Sequence, residues 1–351
     1  MARNLAYLVY VGVLVIVGYL FGILTGEQRE RELARWFGGE AGVAGETEPG
    51  SGAVPGGGAG AGGSAHAPGA GAAAPPGPAA GPHRDAASGL VPEEASDQVR
   101  DLAAAALAGD AEAQFDLAVA YDYGDGVRED DGEAASWYRR AAEQGHPSAQ
   151  NDLGYLYETG EGVGPDMAEA VRWYRRAAEQ GLALAQNNLG LLHQSGKGVA
   201  RDDGAAAQWF RRAAEQGHHD AQHNLATLYD EGRGVARNGG EALKWYRLAA
   251  EDGEAASNNS LAWFLATAPE DRLRDGGRAV EAAEIAVGLE PENPNYLDTL
   301  AAALAEAGRF DEVITAQERA VTLLANAGED RAAAEFSTRL ELYRSGRPAR
   351  R

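Results

Sequence analysis

The feature that most constrains this chain is that it repeats itself. Trp137, Trp173, Trp209 and Trp245 stand 36 residues apart, and Gln114, Gln150, Gln186 and Gln222 keep the same spacing. So do the glycine pairs Gly124/Gly126, Gly160/Gly162, Gly196/Gly198 and Gly232/Gly234. Three markers in one register imply stacked copies of a single supersecondary unit, because a fixed period of roughly 20–50 residues is the signature of a repeat architecture.

Within one period the apolar pattern predicts two helices. Ala149, Leu153, Leu156 and Tyr157 fall at i, i+4, i+7 and i+8, and after a break Ala170, Trp173, Tyr174, Ala177 and Ala178 do much the same. Both are one-faced helical patterns. Gly160 and Gly162, with Gly196 and Gly232 at the positions equivalent to Gly160, are expected to stop the first helices and Gly181 a second one, since glycine reaches left-handed backbone angles without a Cβ clash. Asp130, Asp166, Asp202 and Asn238 read as N-caps, with Glu133, Glu169 and Glu241 completing capping boxes and Ala205 breaking the set. A helix pair this short cannot bury its apolar face alone, so each pair needs the next one. The four tryptophans, with Leu153, Leu189 and Leu225, are therefore the expected core, the indole filling space beside the small Ala177, Ala178 and Gly154.

The stretch "AQNNLGLLHQSGKGVARDDGAAAQWFRRAAEQG", residues 185–217, resembles the Sel-one-like repeat, a relative of the tetratricopeptide repeat. Four units match, over about residues 111–254. Residues 99–114 align with the second helix of a unit without its Trp, as an N-terminal cap would. Beyond residue 255 the loop signature vanishes. "YLDTLAAALAEAGRFDEVITAQERAV", residues 296–321, is similar to a tetratricopeptide unit, and "RAVEAAEIAVGLEPEN", residues 278–293, to the second helix of the unit before it. The first helix of that unit is expected to be cut short by Pro269. Residues 330–343 read as a capping helix. The resemblance implies an all-α, right-handed α-solenoid over residues 91–255 and 256–345.

Upstream, Leu5 to Leu24 is an uncharged apolar run of 20 residues. At 1.5 Å per residue it spans about 30 Å, which predicts a transmembrane helix within residues 1–37. A signal peptide is the rival reading, but no small-x-small cleavage site precedes "EQREREL". Gly18, Gly22 and Gly26 form a small-residue step suited to packing two copies of such a helix. Residues 38–90 collapse to Gly, Ala and Pro, a composition expected to remain disordered, with a reach of about 40 Å. The basic residues flanking the apolar run do not fix orientation; a short N-tail favours a signal anchor, hence a bacterial inner-membrane protein with its repeats in the periplasm.

The net charge of −22 argues against nucleic acid and anionic membrane surfaces as partners. No Cys is present, so thiol catalysis, thiolate metal sites and disulfides are excluded. No phosphate-binding loop, hydrolase elbow or zinc-protease motif occurs. His219 and His223, spaced i, i+4 beside His218 and Asp220, are the best metal candidate, but they lack an obvious third strong ligand, and no metal or cofactor is expected. The pairs Arg139/Arg140, Arg175/Arg176 and Arg211/Arg212 read as helix-face ion pairs with Glu143, Glu179 and Glu215. Resemblance to tetratricopeptide domains implies that first helices line a groove in which Asp116, Asp152, Asn188 and Asn224 face a bound peptide, the two Asp favouring a basic segment. The chain thus reads as a membrane-tethered, non-enzymatic adaptor. The alternatives are an envelope sensor or regulatory subunit and, further off, a metal-dependent enzyme.

Overall fold

The computed structural model describes residues 95–350, and among them every regular element is helical. A first helix, α1 (Asp97–Leu107), precedes four matching pairs. The pairs are α2 (Ala111–Tyr123) with α3 (Asp131–Glu143), α4 (Pro147–Thr159) with α5 (Met167–Glu179), α6 (Ala183–Ser195) with α7 (Asp203–Glu215), and α8 (His219–Glu231) with α9 (Gly239–Ala249). Five more follow: α10 (Ala255–Thr267), α11 (Gly276–Leu289), α12 (Pro294–Glu306), α13 (Phe310–Asn326) and α14 (Asp330–Arg344). Each helix packs on its chain neighbours, which is the solenoid expected of the repeat. The apolar run Leu5 to Leu24, the Gly18/Gly22/Gly26 step and the tract 38–90 lie outside the described residues. No helix among the described residues is long and apolar enough to cross a membrane.

The predicted caps are made. Asp130, Asp166, Asp202 and Asn238 each accept a backbone N–H of the turn they begin. Their own N–H groups donate to the carbonyls of Tyr121, Tyr157, His193 and Tyr229, so the glutamates are not needed to satisfy them. This explains why Ala205 can stand where the other units carry Glu.

The two glycines of each loop do different work. Gly160, Gly196 and Gly232 end their helices in the left-handed region, as expected. Gly162 also has positive φ, but a Cβ there would lie 2.0 Å from the carbonyl oxygen of Asp131 in the preceding pair. The second glycine, expected to share in stopping the helix, is instead a contact between units, where two backbones meet.

Leu153, Leu189 and Leu225 are fully buried, and Trp137, Trp173 and Trp245 are buried. Trp209 departs from the expectation: it is only half-buried, while its neighbour Phe210 is fully enclosed. The small Gly154 also has a different neighbour from the one expected. A Cβ on it would meet the ring of Tyr174 at 3.0 Å, and one on Gly190 would meet Phe210 at 2.6 Å. The aromatic residue that fits the glycine is therefore the one following each Trp. Pro269 does not shorten the helix before it either: α10 runs for 13 residues, the length of the first helices before it, because it starts at Ala255. At the C-terminal end the buried Asp298 of α12 accepts from Arg339 of α14 and Gln317 of α13, both at 2.7 Å. Burial raises the Asp298 carboxyl pKa while the guanidinium opposes it.

Candidate functional site

Two side-chain ladders hold the first helices in register. In one, Gln114, Gln150, Gln186 and Gln222 donate to Ala106, Ala142, Ala178 and Ala214, each carbonyl belonging to the element before. The first three also accept from Gln144, Gln180 and Gln216 at 2.7–2.8 Å. The fourth rung breaks because the equivalent position holds Asp252, which has no proton to give, and the Gln222 Oε1 atom is left without a partner. In the other ladder, Asn188 donates to Asn151 and Asn224 to Asn187, both at 3.1 Å. Asn151 and Asn187 are buried, and Asn151 donates in turn to Asp152. Where Asn would be next, His223 stands instead, with a buried and unpartnered Nδ1.

The positions expected to face a bound peptide are brought into a row by this second ladder. Asp116 is exposed, and Asp152, Asn188 and Asn224 are half-buried. The amides of Asn188 and Asn224 are engaged between units, so part of what they do is structural. One turn further along the same faces stand Val119, Tyr155, Leu191 and Thr227, and one turn back Glu112, Ser148, Leu184 and Asp220, since i, i+4 and i+7 share a helix face. Tyr155, Leu184 and Leu191 are among the large apolar side chains that remain exposed. The Asp116 carboxyl has a raised pKa, first by burial and then by Glu112.

The arginine pairs are not the ion pairs expected of them. Arg140, Arg176 and Arg212 lie over the rings of Trp137, Trp173 and Trp209 at 4.3–4.6 Å, and Lys244 covers Trp245 in the same way. Arg139 and Arg211 donate to the hydroxyls of Tyr157 and Tyr229 on the next pair. A flat guanidinium over an indole gains cation–π attraction and covers the ring against water, which a glutamate one turn away does not offer.

The histidines do not converge either. His218 caps α8 through Nδ1, which accepts from Ala221, and His219 Nδ1 lies 3.3 Å from the Leu248 carbonyl. Burial lowers the imidazole pKa of both His218 and His223. Among the described residues no three His, Asp or Glu side chains are grouped to hold a metal ion.

The Sel1 repeat model matches residues 111–146, 147–182, 183–218 and 219–254, each match beginning at a first helix. Residues 111–254 are four Sel1 repeats. Among solved structures, a protective antigen with an SLR fold from uropathogenic Escherichia coli is 30% identical over 71% of this chain, with a TM-score of 0.58. The chain spans about half of that protein, 55% of its length. A Sel1 repeat protein from Oxalobacter formigenes is 33% identical, covering 54% of this chain and 84% of its own, at a TM-score of 0.49. No curated protein sequence matches the chain.

The glutamine and asparagine ladders were the part that patterning missed. Their signal was present: a buried polar residue kept at fixed period inside an apolar face needs a partner at the same period.

Proposed function

We propose that the chain is a non-enzymatic scaffold that binds a protein partner on the face formed by the Sel1 first helices, α2, α4, α6 and α8. One observation carries this reading. The Asn188–Asn151 and Asn224–Asn187 bonds fix equivalent residues of successive helices in one row, beside exposed apolar side chains that the fold itself does not use. A row of this kind offers preorganised contact area, which binding needs because ordering costs are met before association. The apolar run Leu5 to Leu24 supports attachment to a membrane, and the Gly/Ala/Pro tract 38–90 supports a tether between anchor and repeats. The arrangement fits a single-pass protein of a bacterial inner membrane with its repeats in the periplasm.

Site-specific crosslinking from intact cells tests the binding face. A photoreactive residue in place of Tyr155 should capture a partner. The same residue in place of Arg175, on a second helix, should not. Capture from Arg175 alone, or from neither position, removes the reading.

A further inference from the structure

The face described above is not uniform along its length. Helix α6, ALAQNNLGLLHQS, contains no Asp, Glu, Lys or Arg, and it exposes Leu184 and Leu191. It is also the one Sel1 first helix without a side-chain cap, because Leu182 stands where Asp110, His146 and His218 accept a backbone N–H. Tyr155 of α4 adjoins it in the row. On either side the register-equivalent positions turn acidic: Asp116 and Asp152 match Asn188, and Glu112 and Asp220 match Leu184. The matching positions hold no Lys or Arg.

We infer that this face recognises a basic–apolar–basic segment of a partner protein, its apolar centre on α6 and its Lys or Arg ends over the acids of α2/α4 and α8. The inference rests on the first-helix face being the binding face. Charge complementarity selects this occupant. Partial burial first, and then Glu112 and Asp110 against His146, disfavour the charged form of the Asp116 carboxyl, so a cation placed beside it would be favoured. A second copy of the chain is disfavoured by the same pattern. A two-fold contact centred on α6 would place α4 of one copy against α8 of the other, setting Asp152 near Asp220 with like charges opposed. Acidic rims around an apolar centre also give selection as well as attraction, since an acidic partner is repelled while a basic one is drawn in.

The probes are three synthetic peptides of one length: Lys pairs flanking a Leu-rich centre, the same residues rearranged with Lys central and Leu terminal, and Glu pairs replacing the Lys. Binding to the full-length chain in zwitterionic nanodiscs is read by fluorescence anisotropy. The Lys-flanked peptide should bind at least about tenfold more tightly than either other, a difference of about 1.4 kcal/mol. Leu184→Glu with Leu191→Glu should weaken it at least as much. Ile285→Glu with Leu289→Glu, on α11, should not, although those side chains are about as exposed, at 47% and 48% against 45% and 40%. Asp152→Lys with Asp220→Lys should weaken binding and reduce its salt dependence while circular dichroism stays helical.

Equal binding of the rearranged peptide, or equal loss from the α11 pair, overturns the inference in favour of unspecific adhesion. So does a chain whose mass by light scattering falls by half with Leu184→Glu and Leu191→Glu, which would make a second copy the occupant. Crosslinking from Tyr155 separates the two levels. Capture of a partner there, with no preference among the peptides, leaves the scaffold standing and discards the segment chemistry.

Discussion

The guanidinium carbon of Arg176 lies 4.6 Å from the centre of the Trp173 ring, and Arg172 approaches the same indole at 5.2 Å. Two cations thus lie against one buried tryptophan whose Nε1 has no hydrogen-bond partner. Contact area and cation–π attraction stabilise the position, against the cost of an unpaired indole N–H.

Truncating that residue tests the packing. Trp173→Ala should cost about 3–5 kcal/mol, because a large-to-small core change loses transfer energy and leaves a cavity. Trp209→Ala should cost clearly less, since Trp209 is half-buried. Arg176→Ala should cost about 0.5–1 kcal/mol, the value of a cation–π contact near the surface. Urea denaturation of the three variants measures the order; equal losses for Trp173 and Trp209 would contradict it.

The two loop glycines give a second comparison. Gly162→Ala forces both a positive φ and a clash with the Asp131 carbonyl, so it should separate two units and cost several kcal/mol. Gly181→Ala meets nothing within 4 Å, and its cost should be about 1 kcal/mol, from the left-handed backbone alone. Thermal unfolding followed by circular dichroism distinguishes them. A milder effect at Gly162 would mean that the loops yield easily.

How far the sequence spoke depended on where each interaction ended. Helix positions, caps and the leucine core follow from local spacing, and each was readable because its cause lies within one unit. The partner of Gly154 was not, because choosing between Trp173 and Tyr174 needs the angle at which two helices cross. The arginines pair otherwise than charge alone suggests: Trp173 and Glu179 both stand three residues from Arg176, and the cation lies on the ring. Pro269 misled because a helix can be lengthened at its start, at Ala255, as readily as it is trimmed at its end. The Asn188–Asn151 bond spans 37 residues and joins two units, and no single-unit pattern contains it.

The broken rung of the glutamine ladder offers a third measurement. Gln150→Met removes two hydrogen bonds, one to the Ala142 carbonyl, which keeps the Gly145 N–H, and one from the exposed Gln180 amide, each contributing about 0.5–1.5 kcal/mol. Gln222→Met removes only the bond to the Ala214 carbonyl, which keeps the Gly217 N–H, together with an oxygen that already lacked a donor. The second change should therefore be milder by one hydrogen bond, about 1 kcal/mol. Comparable destabilisation would show that Gln222 has a partner supplied by solvent.

Membrane orientation is open to a direct test. A phosphatase that is active only outside the cytoplasm, fused after Ala255, should be active in cells if Leu5 to Leu24 acts as a signal anchor. Activity from a cytoplasm-restricted reporter at the same junction would place the repeats on the other side.

The last prediction concerns acid. Burial lowers the pKa of His218 and His223 below the usual value near 6.5, with Asp220 opposing in both cases. In the unfolded chain both imidazoles return to the ordinary value. As pH falls through 6.5 the unfolded state therefore binds protons that the folded state resists, and stability must fall with pH in that range. Well above 6.5 both states are neutral at these positions and the contribution is flat. The raised carboxyls of Asp116, Glu254 and Asp298 act with the opposite sign. The urea midpoint should accordingly drop between pH 7.5 and 5.5. Replacing both residues, His218→Asn to keep a capping acceptor and His223→Asn to match Asn151 and Asn187, should flatten most of that slope. A slope unchanged in the double variant would assign the acid sensitivity to other groups and leave these two histidines as passive parts of the α8 packing.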